Sequence, residues 1–209
     1  MDIQSLAHSR ATYKPLTGFV ELEHKEIILK EASGVTPALC NEYNYCVDEI
    51  PDSVKQDLCM SIAQESSVGK EYDKTCVVDV NTQLMAPLVL LYSLRYNPDN
   101  TNIEQFCGPL TMRDQNLIAL GMNAWYTTSV AEGLGYKTSF TNVSGHKQKI
   151  IKDKLGLEHP DQDNRAIARD GKYEYMPLIF VCIGSKGTIN SKHRTEKYAP
   201  ILNRLIINE

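Results

Sequence analysis

The run Pro87-Leu88-Val89-Leu90-Leu91-Tyr92-Ser93-Leu94 constrains the fold more than any other part of this chain. It has the length and residue types of a strand, and it is too continuously apolar to face water on either side. It therefore predicts a central strand covered on both faces. Thr75 to Val80 and Met176 to Ile183 read the same way. Strands of this kind need covering layers, and 209 residues can supply them and bury a core without disulfide or metal staples.

Helix patterns lie between these runs. Glu21 to Ala32 is rich in Glu, Lys, Ile and Leu and stops at Ser33-Gly34. Val54, Leu58 and Ile62 repeat every four residues behind Pro51-Asp52-Ser53, which predicts a short helix with Asp52 or Ser53 available to its first-turn N–H groups. Leu117, Leu120, Gly121, Ala124, Thr128 and Ala131 mark a long buried helix from about Met112 to Glu132, ended by Gly133 and Gly135. Gly121 and Ala124 allow close packing along it. A short strand over Lys137 to Thr141 and an amphipathic helix over Lys147 to Leu155, closed by Gly156, complete the order, with His159 to Lys172 as a polar loop. Helices alternating with buried strands give an α/β or α+β class. No repeat or linker divides the chain, so residues 1–209 read as one domain.

Charge and composition exclude several functions. A net charge of −4 disfavours a nucleic-acid-coating role. Leu84 to Leu94, the longest apolar stretch, is too short to cross a bilayer, and MDIQSLAHSR lacks the basic-then-apolar pattern of a signal peptide. The expectation is a soluble, cytoplasmic protein with no membrane or nucleic-acid partner. The six cysteines stand apart without a Cys-x-x-Cys pair and read as reduced thiols, several of them buried. The histidines lack the i, i+4 pairing of a zinc hydrolase, so no metal is expected. No Gly-x-Ser-x-Gly elbow or Gly-x-Gly-x-x-Gly fingerprint occurs, and Gly184-Ser185-Lys186-Gly187-Thr188 lacks P-loop spacing and reads as a turn.

Two short basic clusters remain, at opposite ends of the chain. Arg10-Ala11-Thr12-Tyr13-Lys14 puts two cations and a hydroxyl on alternating positions, which on an extended segment point to one side. Ser191-Lys192-His193-Arg194 again sets two cations at alternating positions. A phosphate is held by charge-assisted donors converging from separate segments, and these clusters can supply them; two solvated patches are the alternative.

Taken in order, the segments resemble the FMN-dependent nitroreductase family. Arg10 to Lys14 matches its opening Arg-x-Ser-x-Arg/Lys, and Pro37-Ala38-Leu39-Cys40-Asn41 keeps the Pro and Asn of its Pro-Ser-Ser-x-Asn segment without the serines. The Ala86-Pro87 strand, Gln115-Asn116 in the long helix, the Gly133-Leu134-Gly135 turn, Leu155-Gly156-Leu157, the strand ending Ile183-Gly184, and Lys192-x-Arg194 follow in the family's order.

The resemblance implies an α+β nitroreductase-like fold, with a central sheet flanked by helices and the long helix at the interface of a homodimer. Each of two interface clefts would hold one FMN. Arg10, Lys192 and Arg194 would hold the phosphate, and Ala11, Thr12 and Lys14 would reach the phosphate, ribityl chain or N1–O2 edge, with Lys14 as electrostatic stabiliser of the reduced ring. Pro37, Ala38, Leu39 and Asn41 would come from the partner subunit. The loop Phe140-Thr141-Asn142 would lie near flavin N5, and Asn81 and Gln83 are ribityl or ring contacts, with ordinary loop residues as the alternative. The implied activity is ping-pong hydride transfer from NADH or NADPH to a nitroaromatic, quinone or similar acceptor, the FMN carrying the chemistry without a catalytic side chain. The alternatives are a flavin-binding protein without efficient turnover and an enzyme acting on flavin itself. The apolar run Ile201 to Ile207 is expected to dock on the partner's sheet.

Overall fold

The two-faced strand predicted from Pro87 onward is Leu88–Tyr96 in a computed structural model of the chain, which describes residues 13–34, 45–65, 82–96, 106–107, 110–143, 145–156 and 174–189. In chain order the elements are β1 (Tyr13–Thr17), α1 (Leu22–Ala32), β2 (Tyr45–Glu49), α2 (Asp52–Glu65), a 3-10 turn (Thr82–Met85) and β3 (Leu88–Tyr96). A small ladder of β4 (Phe106–Cys107) and β5 (Leu110–Thr111) leads into α3 (Met112–Gly133). Then come β6 (Lys137–Asn142), α4 (Gly145–Leu155), β7 (Glu174–Gly184) and β8 (Lys186–Ile189). Thr75 to Val80, the loop His159 to Lys172 and the terminal run Ile201 to Ile207 lie outside the described residues.

The main sheet has strand order β2-β3-β7-β6, and every pairing in it is antiparallel. Strand alternation sorts the apolar run into two cores. Val89 and Leu91, with Phe180 and Cys182 from β7, face Leu58 and Ile62 of α2 and Ile151 of α4. Leu88, Leu90, Tyr92 and Leu94, with Val181 and Ile183, face Ile28 of α1 and Leu120 and Ala124 of α3. Helices thus cover both faces of an antiparallel sheet, which settles the class as α+β. Pro177 has no N–H to give the ladder, and the register slips there, Tyr92 pairing with Ile179 and Ser93 with Pro177.

Local signals explain most element ends. Gly135 takes φ 94°, and the Tyr136 N–H reaches back to the Ala131 carbonyl at 3.0 Å, closing α3 with a left-handed glycine. Helix α2, expected to be short, runs 14 residues, and the Asp52 carboxylate receives the Lys55 ammonium at 2.5 Å. That contact holds the Asp52 carboxyl below its ordinary range. Gly184 to Thr188 is not a simple turn. Ser185 bends the chain, and Lys186–Ile189 forms β8, which pairs antiparallel with β1. The sequence offered no apolar alternation there, and it is pairing with β1 that makes the segment a strand. Where the two strands meet, a Cβ on Gly18 (φ 87°) would lie 2.0 Å from Ser185 Oγ, so only glycine fits without a shift.

The fully buried Ile183 gives a direct check on this packing. Ile183→Val should lower stability by about 1 kcal/mol through one lost methylene. Urea unfolding should then show an earlier midpoint at unchanged slope.

Candidate functional site

The site is built from the β1–β8 ladder, the 3-10 turn, and the free edge of β6. In the ladder, Tyr13 is opposite Ile189, Leu16 opposite Gly187 and Thr17 opposite Lys186. The strands are antiparallel, so the beginning of β1 and the end of β8 stand side by side. Arg10 is three residues before Tyr13 and Arg194 five after Ile189. At a maximum of about 3.6 Å per residue, connectivity alone keeps them within about 11 Å and 18 Å of that point.

Of the residues singled out in the sequence, Arg10, Ala11, Thr12, Pro37, Ala38, Leu39, Asn41, Asn81, Lys192 and Arg194 lie outside the described residues. Lys14 is in β1. Thr141 and Asn142 are described: the strand read over Lys137 to Thr141 is present as β6 and runs one residue further, to Asn142, so the loop that the resemblance implied at Phe140 to Asn142 is corrected. Among the described residues β6 pairs with β7 on one side only.

That one-sidedness gives the edge its chemistry. The Val143 N–H donates to the Leu178 carbonyl at 2.9 Å, and Asn142 pairs with Ile179. Antiparallel pairing alternates, so the odd-numbered residues of β6 exchange hydrogen bonds with β7 while Phe140 and Asn142 turn their N–H and C=O groups outward. Beside this edge lies an open groove of about 380 Å³, lined by Leu117, Leu120, Gly121, Ala124 and Trp125 of α3, Phe140 and Asn142 of β6, and Leu178 and Ile179 of β7. An apolar wall with outward backbone N–H and C=O groups at its margin suits a flat aromatic ring with a polar rim.

Two buried polar side chains lie behind the edge, Gln83 and Lys55. Gln83 is buried and accepts the Thr141 hydroxyl at 2.8 Å. Lys55 was missed, although a lysine in register with Cys59 and Ile62 on the apolar stripe of α2 is a signal in itself. Its buried ammonium donates to the Ala86 and Pro87 carbonyls at 2.7 and 3.0 Å and to Asp52, so all three protons are used.

Cys59 and Cys182 are buried and free, as expected of several cysteines, and Cys46 is half-buried. Burial pushes the Cys182 thiol up to about 12 and raises that of Cys59. A thiol reacts as its thiolate. Iodoacetamide at pH 8 should therefore modify both only after denaturation, as peptide mass spectrometry will show; modification of the native protein at the rate of a free thiol would contradict it.

No family model and no curated protein matches the chain by sequence. Solved structures do match in shape. A BluB-like flavoprotein from Clostridium difficile 630 is similar at 19% identity and TM-score 0.63, over 96% of this chain and 95% of that one. A nitroreductase with bound FMN from Desulfitobacterium hafniense DCB-2 is similar at 14% identity and TM-score 0.62, over 96% and 97%. An FMN-dependent nitroreductase from Clostridium difficile R20291 is similar at 16% identity and TM-score 0.59, over 97% and 100%. The chain has the nitroreductase-like fold.

This is the fold that the order of motifs implied. Within the nitroreductase-like fold of this chain, α3 leaves Ile118, Met122, Trp125 and Tyr126 between 44% and 51% exposed on one side, while Ala124 is buried against the sheet. Among the described residues beyond its own helix turn, nothing comes within 4 Å of a Cβ placed on Gly121. Among the described residues, no helix is long and apolar enough to cross a membrane.

Proposed function

We propose that the chain is an FMN-dependent oxidoreductase that works as a homodimer and takes reducing equivalents from NADH or NADPH. The observation that supports this reading is the Tyr13–Ile189 pairing, which sets the start of β1 beside the end of β8; we assign Arg10 to Lys14 and Lys192 to Arg194 to that end. A phosphate held there would receive Arg10, Lys192 and Arg194, with Ala11 and Thr12 near the phosphate and ribityl chain and Asn81 along the ribityl. FMN, when bound, supplies the chemistry: ping-pong transfer of a hydride from the nicotinamide to a nitroaromatic, quinone or similar acceptor.

The chain's own groups bind, orient and tune. Lys14 is assigned to the N1–O2 edge, where positive charge favours the reduced ring. The outward Asn142 N–H is assigned to N5, next to Thr141. The exposed apolar stripe of α3 is assigned to the partner copy, which would cover Ile118, Met122 and Trp125 and bring its Pro37, Ala38, Leu39 and Asn41 to the ring.

The purified protein, loaded with FMN, should be yellow and should bleach anaerobically on adding NADH or NADPH, with colour returning on addition of a quinone. A yellow protein that neither nicotinamide bleaches points instead to flavin binding without turnover or to chemistry on the flavin itself. A protein that takes up no FMN refutes the reading.

A further inference from the structure

The outward groups of β6 are not left equally open. Phe140 and Asn142 both turn their backbone toward the free edge, and a strand or peptide adding there would pair with both. Gln83 stands in the way. Its Oε1 accepts the Thr141 hydroxyl at 2.8 Å, and its Nε2 lies 3.5 Å from the Phe140 carbonyl as donor. The acceptor half of the edge is engaged by a side chain of the same molecule, while the neighbouring donor, the Asn142 N–H, has no strand partner among the described residues.

Gln83 is itself held from behind. The Ala86 N–H donates to the Gln83 carbonyl at 3.1 Å, closing the 3-10 turn. Lys55 then takes the Ala86 and Pro87 carbonyls with its buried ammonium. A line of hydrogen bonds therefore runs from α2 through the turn to the end of β6. A buried carboxamide and a buried ammonium are costly in an apolar core unless their partners are in place, so the line is stable in one geometry only.

We infer that Gln83 is a positioning residue that holds the end of β6 so that the Asn142 N–H is presented to flavin N5, with Lys55 fixing the turn that carries it. This rests on the flavin assignment above. It acts on the oxidised ring in particular, because N5 accepts a hydrogen bond in that state and carries a hydrogen of its own when reduced.

Gln83→Leu removes both contacts at similar volume. In the FMN-free protein, hydrogen exchange at the Thr141 and Val143 amides should become at least about tenfold faster. In the loaded protein, affinity for oxidised FMN should fall about tenfold with affinity for reduced FMN unchanged, which raises the two-electron midpoint potential by about 30 mV. General loosening would weaken both redox states together and leave the potential where it was. Gln83→Glu supplies a pH readout. Above the pKa of the introduced carboxyl it still accepts the Thr141 hydroxyl but faces the Phe140 carbonyl with oxygen, so exchange should be faster than in the wild type. Below that pKa its O–H donates to the same carbonyl and exchange should return toward the wild-type rate. Unchanged exchange in Gln83→Leu, or equal loss of both redox states, overturns the inference. A wild-type protein that binds no FMN overturns the flavin assignment instead, and the exchange rates then decide whether Gln83 holds the strand.

Discussion

Trp125→Glu should give a monomer that no longer retains FMN. Trp125 is 44% exposed on the apolar side of α3, beside Met122 and the open surface of Gly121. In a two-fold dimer each substitution acts twice, putting two carboxylates into a surface that must lose water when the copies meet. Burying an unpaired carboxylate costs several kcal/mol, enough to raise the dissociation constant at least about a thousandfold. Light scattering at micromolar concentration should report a dimer for the wild type and a monomer for the variant. Trp125 is the one tryptophan of the chain, so wild-type emission should also shift to the red on dilution as the interface opens. The variant should keep its far-UV circular dichroism, because the indole is not part of either core. A monomeric wild type, or a monomeric variant that binds FMN as tightly, removes the shared cleft.

The double variant Arg10→Ala, Arg194→Ala should show the second large effect. Each guanidinium assigned to the phosphate contributes roughly 1.5 to 3 kcal/mol as a charge-assisted hydrogen bond. Each single variant should then lose about ten- to a hundredfold in FMN affinity, and the double variant between a hundredfold and ten-thousandfold if the contacts act independently. Riboflavin, which lacks the phosphate, should bind wild type and double variant alike. Equal FMN affinity in all four proteins would withdraw the phosphate site from the β1–β8 end. Loss of riboflavin binding in parallel would mean that the substitutions damage the ring site instead.

The elements legible in the sequence are those whose signal is local. Helix α1 announced its stop at Ser33-Gly34, α3 its length through Leu117, Leu120, Ala124 and Ala131, and β3 its burial through five successive apolar residues from Leu88 to Tyr92. The site was legible only as a list. Arg10 and Arg194 could be suspected of sharing a phosphate because a phosphate asks for several cations. No feature of either cluster says that it meets the other.

Composition and periodicity therefore determined which segments are helices, which strands have two covered faces, and which residue types are available for an anion. Such signals report a side chain's own preference for water or for neighbours three and four residues away. Tertiary structure decided three other things. It paired the sheet antiparallel throughout, made Lys186–Ile189 a strand by laying it against Tyr13–Thr17, and put the strand read over Lys137 to Thr141 at the end of the sheet, beside β7. It also drew Lys55 and Gln83 into the core behind that edge. Each of these depends on backbone hydrogen bonds between residues remote in sequence. Since every residue carries the same N–H and C=O, side-chain pattern cannot say which remote partner will take them.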